Sequence, residues 1–347
     1  LSSTGHAAPT PPAPSSPSNE TRQAVLGAGA FLAAPLFTRW FAEYNKLHPD
    51  LRLDYQPVGS SSAIDLIGQR AVDFAATDAP LTEEQTEQLP AVVQLPAAIT
   101  TIAVVYNLSA GPAAGVRLSS DVLADIFIGR ISMWNDPRIV AQNPGARMPE
   151  VPITIVYRTG RSGTTFVFTD YLAKISSEWR SKVGVGASVP WPLGLGMKGG
   201  EAQISLVKGI QGAISYTELI SAQRHRVGIA TLGNAEGEFV RPSLTSAMAA
   251  AANLGESGDP RVMPSNPPGR ESYPLVAFTY LLVFPDQSET RRGRALLNFL
   301  WWALHDGQQY AGPLGMVPLA RGLQARAEAT LRGLTVQGVR VLEGRAP

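Results

Sequence analysis

Short apolar runs alternate along the chain with segments whose apolar residues recur every three or four positions. Residues 24–26 predict a strand, and residues 31–44 predict a helix because Leu36, Trp40 and Phe41 fall on one helical face. The same order repeats twice, with strands at 51–55 and 72–76 and helices at 63–70 and 81–89. This alternation predicts an α/β fold with a parallel, doubly wound sheet.

A second α/β region is predicted from residue 119 to about residue 270. Apolar strand-like runs at 91–95 and 99–106 precede it, its own strands are predicted at 153–157 and 213–216, and a strong strand follows at 273–283. Helices are predicted at 290–305 and 320–332. With 347 residues, 44% of them apolar and only 16% charged, the chain is long enough for two lobes with buried cores.

Four predicted helices begin with glycine-rich or polar residues where a strand has just ended. These starts are 27–30, 59–62, Asp78 before Pro80, and 158–164. Backbone N–H groups at a helix start lack internal partners, and the helix dipole places partial positive charge there. Because such strand ends line the ligand crevice of an open α/β sheet, we expect all four to face one anion in a cleft between lobes.

The most informative segment is Arg158-Thr-Gly-Arg-Ser-Gly-Thr-Thr-Phe, which precedes a predicted helix with apolar positions through Leu172. A guanidinium and the hydroxyls of Ser162 and Thr164, beside free N–H groups, suit a tetrahedral oxyanion. The alternative is that Ser162 or Thr164 only caps a helix. Asp78 is likewise open to interpretation as a cap, and the glycines at 27–30 as packing residues.

Composition excludes several classes of function. The net charge is +1 without a basic run, which argues against nucleic acid as a partner. No cysteine is present, so disulfides, thiolate catalysis and cysteine-bound zinc are excluded. The four histidines are scattered without metal-ligand spacing, and we expect neither a metal nor a cofactor.

Residues 1–21 are rich in proline and serine and nearly free of large apolar side chains. Such a segment cannot bury enough surface to fold, and we interpret it as a flexible tether. A tether ahead of a globular body fits an exported protein held near a membrane. No apolar run in the sequence is long and uniform enough to span a bilayer.

These motifs resemble the phosphate-binding proteins of bacterial phosphate ABC transporters, the PstS family. The matching pieces keep the family's order over about residues 24–320: 27–30, 59–61, Val72-Asp-Phe-Ala-Ala-Thr-Asp-Ala-Pro-Leu81, 126–135, 158–172, 191–196, 212–218 and 273–275. The resemblance implies a two-lobed type II periplasmic-binding-protein fold, each lobe a mainly parallel sheet flanked by helices. Residues 22–102 and 277–347 would form lobe I, residues 103–276 lobe II, and strands near 98–106 and 273–283 the hinge.

The resemblance also implies a role for each site residue. Ser60 would donate its hydroxyl and backbone N–H, and Asp78 would accept a hydrogen bond from a protonated phosphate oxygen. The family's Thr-Phe pair on the first helix falls on Phe31 and Leu32. The opposite lobe would hold the anion through Arg158, Ser162, Gly163 and Thr164.

Two departures from the family pattern affect the expected charge of the pocket. Phe31 replaces a threonine, so only backbone N–H groups can serve there. Gly160 stands where many members have an aspartate that pairs with the site arginine, and Arg161 replaces a glycine. We expect Arg158 to be neutralised by Asp78 and the ligand alone, with a strong salt dependence of binding. The alternative for Arg161 is that it points into solvent.

The function implied is a monomeric, non-enzymatic binding protein of the periplasm or another extracytoplasmic location that delivers inorganic phosphate to an ABC permease of the inner membrane. Residues 1–21 would serve as its membrane tether. Asp78 would reject sulfate, which carries no proton at neutral pH. The alternatives are an oxyanion sensor or secreted accessory protein without a permease, and a phosphoester or serine hydrolase using Ser162 with His225 or His305. A hydrolase is disfavoured because Ser162 lacks the Gly-x-Ser-x-Gly elbow.

Overall fold

The described part of the chain, in a computed structural model, comprises residues 23–109, 112, 115–254 and 265–345. The tether predicted at residues 1–21 lies outside this part. Among the described helices, none combines the length and apolarity needed to cross a membrane.

The N-terminal elements alternate as the apolar pattern predicts. They are β1 (Gln23–Gly29), α1 (Ala34–Leu47), β2 (Leu51–Gln56), α2 (Ser60–Gly68), β3 (Phe74–Thr77) and α3 (Glu83–Gln88). Strand β1 lies between β2 and β3 and pairs with both in parallel, which confirms the predicted parallel sheet. Helix α1 buries Phe37 and Trp40 against this sheet, and the Phe37 ring stacks on Tyr55 at 4.5 Å.

Two predicted helix starts are wrong in a way that matters for the site. Helix α1 begins at Ala34, with Pro35 in its first turn, so residues 31–33 form a turn ahead of it. Helix α3 begins at Glu83, because the Thr82 hydroxyl and the Gln85 side chain form a reciprocal capping box. Asp78 therefore caps no helix and lies in the connection after β3.

The middle of the chain forms the second α/β region. Its elements are β4 (Val93–Tyr106), β5 (Arg117–Leu118), α4 (Ser120–Phe127), α5 (Pro137–Gln142), β6 (Thr154–Thr159), α6 (Gly163–Ile175), α7 (Ser177–Lys182), β7 (Leu195–Lys198), α8 (Gly200–Gly209), β8 (Ala213–Glu218), α9 (Leu219–His225), β9 (Gly228–Ile229), β10 (Thr231–Gly233), β11 (Phe239–Val240) and α10 (Leu244–Leu254). Strand β6 lies between β7 and β8 and is parallel to both, so the site-bearing strand is central here too.

The C-terminal part returns to the first sheet. It comprises β12 (Val276–Val283), β13 (Asp286–Gln287), α11 (Thr290–Leu304), two 3₁₀ turns, β14 (Met316–Val317), α12 (Arg321–Gly333), β15 (Thr335–Val336) and β16 (Val339–Arg340). Helix α11 confirms the helix predicted at 290–305 and buries Phe299, Trp301 and Trp302. The Trp40 indole N–H donates to the Gly307 carbonyl at 2.7 Å, which ties α1 to this part of the chain.

Strand β4 joins the two regions. Its residues up to Thr101 pair antiparallel with β12, and those from Ile102 onward pair antiparallel with β8. The resulting order is β2-β1-β3-β12-β4-β8-β6-β7. The two apolar runs predicted at 91–95 and 99–106 are thus one 14-residue strand, which is buried from Leu95 onward. The predicted lobe boundaries at 102/103 and 276/277 stay predictions.

Candidate functional site

Asp78 lies where three elements of the first region meet, and its side chain is buried. Its carboxylate accepts a hydrogen bond from the Leu32 N–H and one from the Thr279 hydroxyl of β12, the latter at 3.3 Å. Its own N–H donates to the Ser60 hydroxyl at the start of α2, at 3.1 Å. The turn before α1, the first residue of α2 and strand β12 therefore hold this carboxylate in one position.

Burial raises the pKa of Asp78 to about 7, and the nearby Glu218 carboxylate acts in the same direction. The Thr279 hydroxyl, the Leu32 N–H and the Arg158 guanidinium oppose that rise. A carboxyl group in this environment can carry or accept a proton near neutral pH, since desolvation disfavours its charged form. Asp78 is thus suited to share a proton with a bound group.

Helix α6 brings the second region against Asp78. Ser162 caps the helix, its hydroxyl accepting from the Thr165 N–H at 3.4 Å, and its role toward an anion stays a prediction. Gly163 is the first helical residue, and a Cβ there would lie 2.1 Å from Asp78 Oδ2. Only glycine permits this approach. The start of α6 and the buried carboxylate, predicted to face each other, are therefore in contact.

Arg158, at the end of β6, pairs with a carboxylate that the sequence analysis assigned no charge-pairing role. Its Nη1 lies 3.7 Å from Oε1 of Glu218 and donates to the Thr164 hydroxyl at 3.3 Å. Glu218 also accepts from the Thr164 hydroxyl at 2.7 Å and from the Thr217 hydroxyl at 3.0 Å. The expectation that Arg158 is neutralised by Asp78 and a ligand alone is wrong, and the strong salt dependence expected from it loses its basis.

Glu218 could have been found from its position in the sequence. It ends β8, the neighbour of β6, so it lies at the same edge of the sheet as Arg158. Ends of adjacent parallel strands meet there, as they do for the other predicted site residues. The pairing itself depends on tertiary contact across 60 residues of sequence.

The Arg161 side chain does not simply point into solvent, as the alternative interpretation expected. Its residue surface is exposed, but its guanidinium donates a hydrogen bond to the Ser61 hydroxyl in α2. The residue lies in the loop between β6 and α6, so this contact joins the second region to the first. Arg161 can reach Ser61 because Gly163, two residues after it, packs on Asp78 of the first region.

Two cavities lie beside the contact of Asp78 with Gly163, and between them they are lined by most of the predicted site residues. The first, of about 290 Å³, is lined by Ser60, Asp78, Ser162 and Gly163 among others. The second, of about 250 Å³, is lined by Leu32, Arg158 and Glu218 among others. Phe31 lines both and is 44% exposed. Thr164 is buried, with its hydroxyl directed to Glu218.

The residues needed for a hydrolytic triad are not assembled in the described structure. His225 Nε2 lies 2.9 Å from Glu201, and His305 contacts Trp301 and Glu328, so neither histidine is engaged with Ser162. Within residues 23–109, 112, 115–254 and 265–345, no group of three or more potential metal ligands occurs.

Comparison with known sequences gives a consistent result. The family model described as "PBP superfamily domain" matches residues 14–306. A phosphate-binding protein PstS of Xylella fastidiosa is 38% identical over 307 residues, which cover 88% of this chain and 84% of that protein. A PstS of Methanocaldococcus jannaschii is 32% identical, with 85% of this chain and 82% of that protein covered.

Solved structures show the same architecture. A phosphate-binding protein from Stenotrophomonas maltophilia superposes with a TM-score of 0.65 at 19% identity, covering 89% of this chain and 94% of that one. An ABC-type phosphate transport receptor from Vibrio cholerae gives a TM-score of 0.58 at 19% identity, covering 85% and 100%. The two-lobed type II fold is therefore confirmed.

Proposed function

The chain belongs to the PBP superfamily and, within it, to the phosphate-binding proteins named PstS, and we propose that it captures inorganic phosphate between its lobes. Proteins of this family bind solutes and do not catalyse reactions, so the chain is not an enzyme. We place it outside the cytoplasm, where it would deliver phosphate to an ABC permease. Lobe I would comprise residues 22–102 and 277–347, and lobe II residues 103–276.

The observation that carries this proposal is the contact between Asp78 and Gly163. A buried carboxylate accepts hydrogen bonds, and the first turn of α6 presents backbone N–H donors beside it. A ligand held by both must offer acceptors to the helix and a proton to Asp78. Phosphate carries such a proton at neutral pH. Sulfate carries none, so it places two acceptors in contact whenever Asp78 is ionised, and such an unsatisfied contact is costly.

Each lobe would supply its own donors. From lobe I come the Ser60 hydroxyl and the N–H groups at Phe31 and Leu32, with Asp78 as the acceptor. Lobe II would supply Arg158 near the end of β6 and three residues at the start of α6, namely Ser162, Gly163 and Thr164. Glu218 would keep Arg158 in place through its ion pair, leaving the other guanidinium N–H groups for the anion.

Closure of the lobes would trap the ligand. Gly163 packs on Asp78 and Arg161 binds Ser61, and these contacts between the two proposed lobes support a closed arrangement. An anion would favour this arrangement only through the additional contacts that it makes in the closed state. Ligand binding should also raise the thermal stability of the folded chain.

The test is a calorimetric titration of phosphate and sulfate into the wild type, Asp78→Asn and Asp73→Asn. Asp73 is a matched control because it is also a largely buried carboxylate, and it accepts from the Leu26 N–H without lining either cavity. We expect phosphate to bind the wild type and the control at least tenfold more tightly than sulfate. Asp78→Asn should lose most of that preference, and an unchanged preference would contradict the role of Asp78.

Delivery needs a separate measurement. The phosphate-loaded protein should stimulate ATP hydrolysis by a phosphate permease reconstituted in vesicles, and the ligand-free protein should stimulate it less. Binding without any stimulation would instead favour the sensor or accessory alternative.

A further inference from the structure

The cavity beside Asp78 is larger than a phosphate ion requires. Its accessible volume of about 290 Å³ is many times the roughly 10–15 Å³ that one water molecule needs. Phosphate has five non-hydrogen atoms. The same cavity is lined by Ser60, Asp78, Ser162 and Gly163, which are four of the groups proposed to bind the anion, whereas Arg158 lines the second cavity. A ligand bound there therefore has room for atoms beyond its phosphorus and oxygens.

Much of the remaining wall is apolar. Phe31 is 44% exposed and Val58 is 37% exposed, and Ile64, Pro80 and Phe166 complete this side of the cavity. An exposed phenyl ring at a binding cleft favours contact with an apolar group, since such contact removes both surfaces from water. Hydrated phosphate alone would gain nothing from these side chains.

We propose that the site also accepts organophosphonates, whose three phosphorus-bound oxygens engage the anion donors while the organic substituent occupies the apolar part of the cavity. This inference rests on the proposed phosphate site and extends it to ligands in which one oxygen is replaced by carbon. The wall formed by Phe31, Val58 and Phe166 suits a substituent as large as a phenyl ring.

Asp78 distinguishes phosphonates from phosphate monoesters. A monoester loses its second proton at a pKa of about 6 and is a dianion at pH 7.5. A phosphonate loses that proton at higher pH, because carbon withdraws less electron density from phosphorus than an ester oxygen. At pH 7.5 a larger fraction of the phosphonate therefore carries the proton that the Asp78 carboxylate accepts, and it should bind more tightly than the monoester with the same substituent.

The experiment is a calorimetric titration at pH 7.5 with phosphate, methylphosphonate, phenylphosphonate and phenyl phosphate. A variant that fills the cavity, Ala187→Phe, is compared with Val185→Phe. Ala187 lines the cavity, whereas Val185 lies in the same segment, is 45% exposed and does not line it. Both variants add the same ring, so general effects on the segment are matched.

We expect phenylphosphonate to bind the wild type within tenfold of phosphate and at least fivefold more tightly than phenyl phosphate. Ala187→Phe should weaken phenylphosphonate at least tenfold and change phosphate less than threefold, and Val185→Phe should change neither. Binding of phosphate without either phosphonate would overturn this inference and leave the proposed function intact. Equal loss of phosphonate in both variants, or none in Ala187→Phe, would also overturn it, whereas failure of every ligand would refute the phosphate site itself.

Discussion

Gly163→Ala tests whether the two lobes must approach as closely as the structure shows. The added Cβ would lie 2.1 Å from Asp78 Oδ2 and 2.8 Å from both Cβ and Cγ of the same side chain. Atoms in proteins do not approach this closely, so α6 and Asp78 would have to separate by roughly 1 Å. Because α6 belongs to the second α/β region and Asp78 to the first, incomplete closure would achieve this separation without disturbing either core.

The expected magnitude follows from the cost of overpacking. Extra methyl groups in a tightly packed contact cost about 1–3 kcal/mol. If that cost falls on the closed state alone, phosphate should bind about 5- to 150-fold more weakly. The ligand-free protein should lose no stability, because alanine is favoured over glycine in a helix by about 1 kcal/mol.

The assay combines phosphate titration calorimetry with urea unfolding of the ligand-free protein. Gly322→Ala is the matched control, since Gly322 also lies in the first turn of a helix, α12, and a Cβ there would meet nothing within 4 Å. The control should retain wild-type affinity. Wild-type affinity in Gly163→Ala would refute the close approach, and a matching loss of stability without ligand would show that the contact belongs to the fold rather than to closure.

Two further predictions concern the charged groups of the site. Glu218→Gln should leave Arg158 without its paired charge, so phosphate affinity should fall more steeply with salt than in the wild type. The lost ion pair should also cost about 1–3 kcal/mol in unfolding free energy. Titrations at low and high salt check this, with Glu343→Gln as control because the Glu343 side chain is 72% exposed and lines neither cavity. Because the pKa of Asp78 is raised from 3.8 to about 7, the folded state binds the extra proton, and stability should fall as pH rises between these values. Urea unfolding without phosphate should show this decline in the wild type but a smaller one in Asp78→Asn.

Local sequence patterns predicted most helices and strands, because the hydrophobic pattern that marks each element lies within its own residues. Buried strands appear as apolar runs and α1 as a stripe of large apolar residues, and both survive in the structure with small shifts of their ends. The predicted starts of α1 and α3 were wrong because another local interaction decided where each helix begins. The capping box at Thr82 moved the start of α3, and the turn before Pro35 separated Phe31 and Leu32 from α1.

The sequence by itself determined which groups lie at strand ends, since periodicity places Ser60, Asp78, Arg158 and Gly163 at those positions. Their meeting was left to the tertiary structure, because no local signal specifies which strand ends become neighbours or how closely two lobes approach. The ion pair of Arg158 with Glu218 and the contact of Arg161 with Ser61 are of this kind. Charge balance in the cleft depends on side chains far apart in sequence, so it follows from the order of strands in the sheet and not from any single motif.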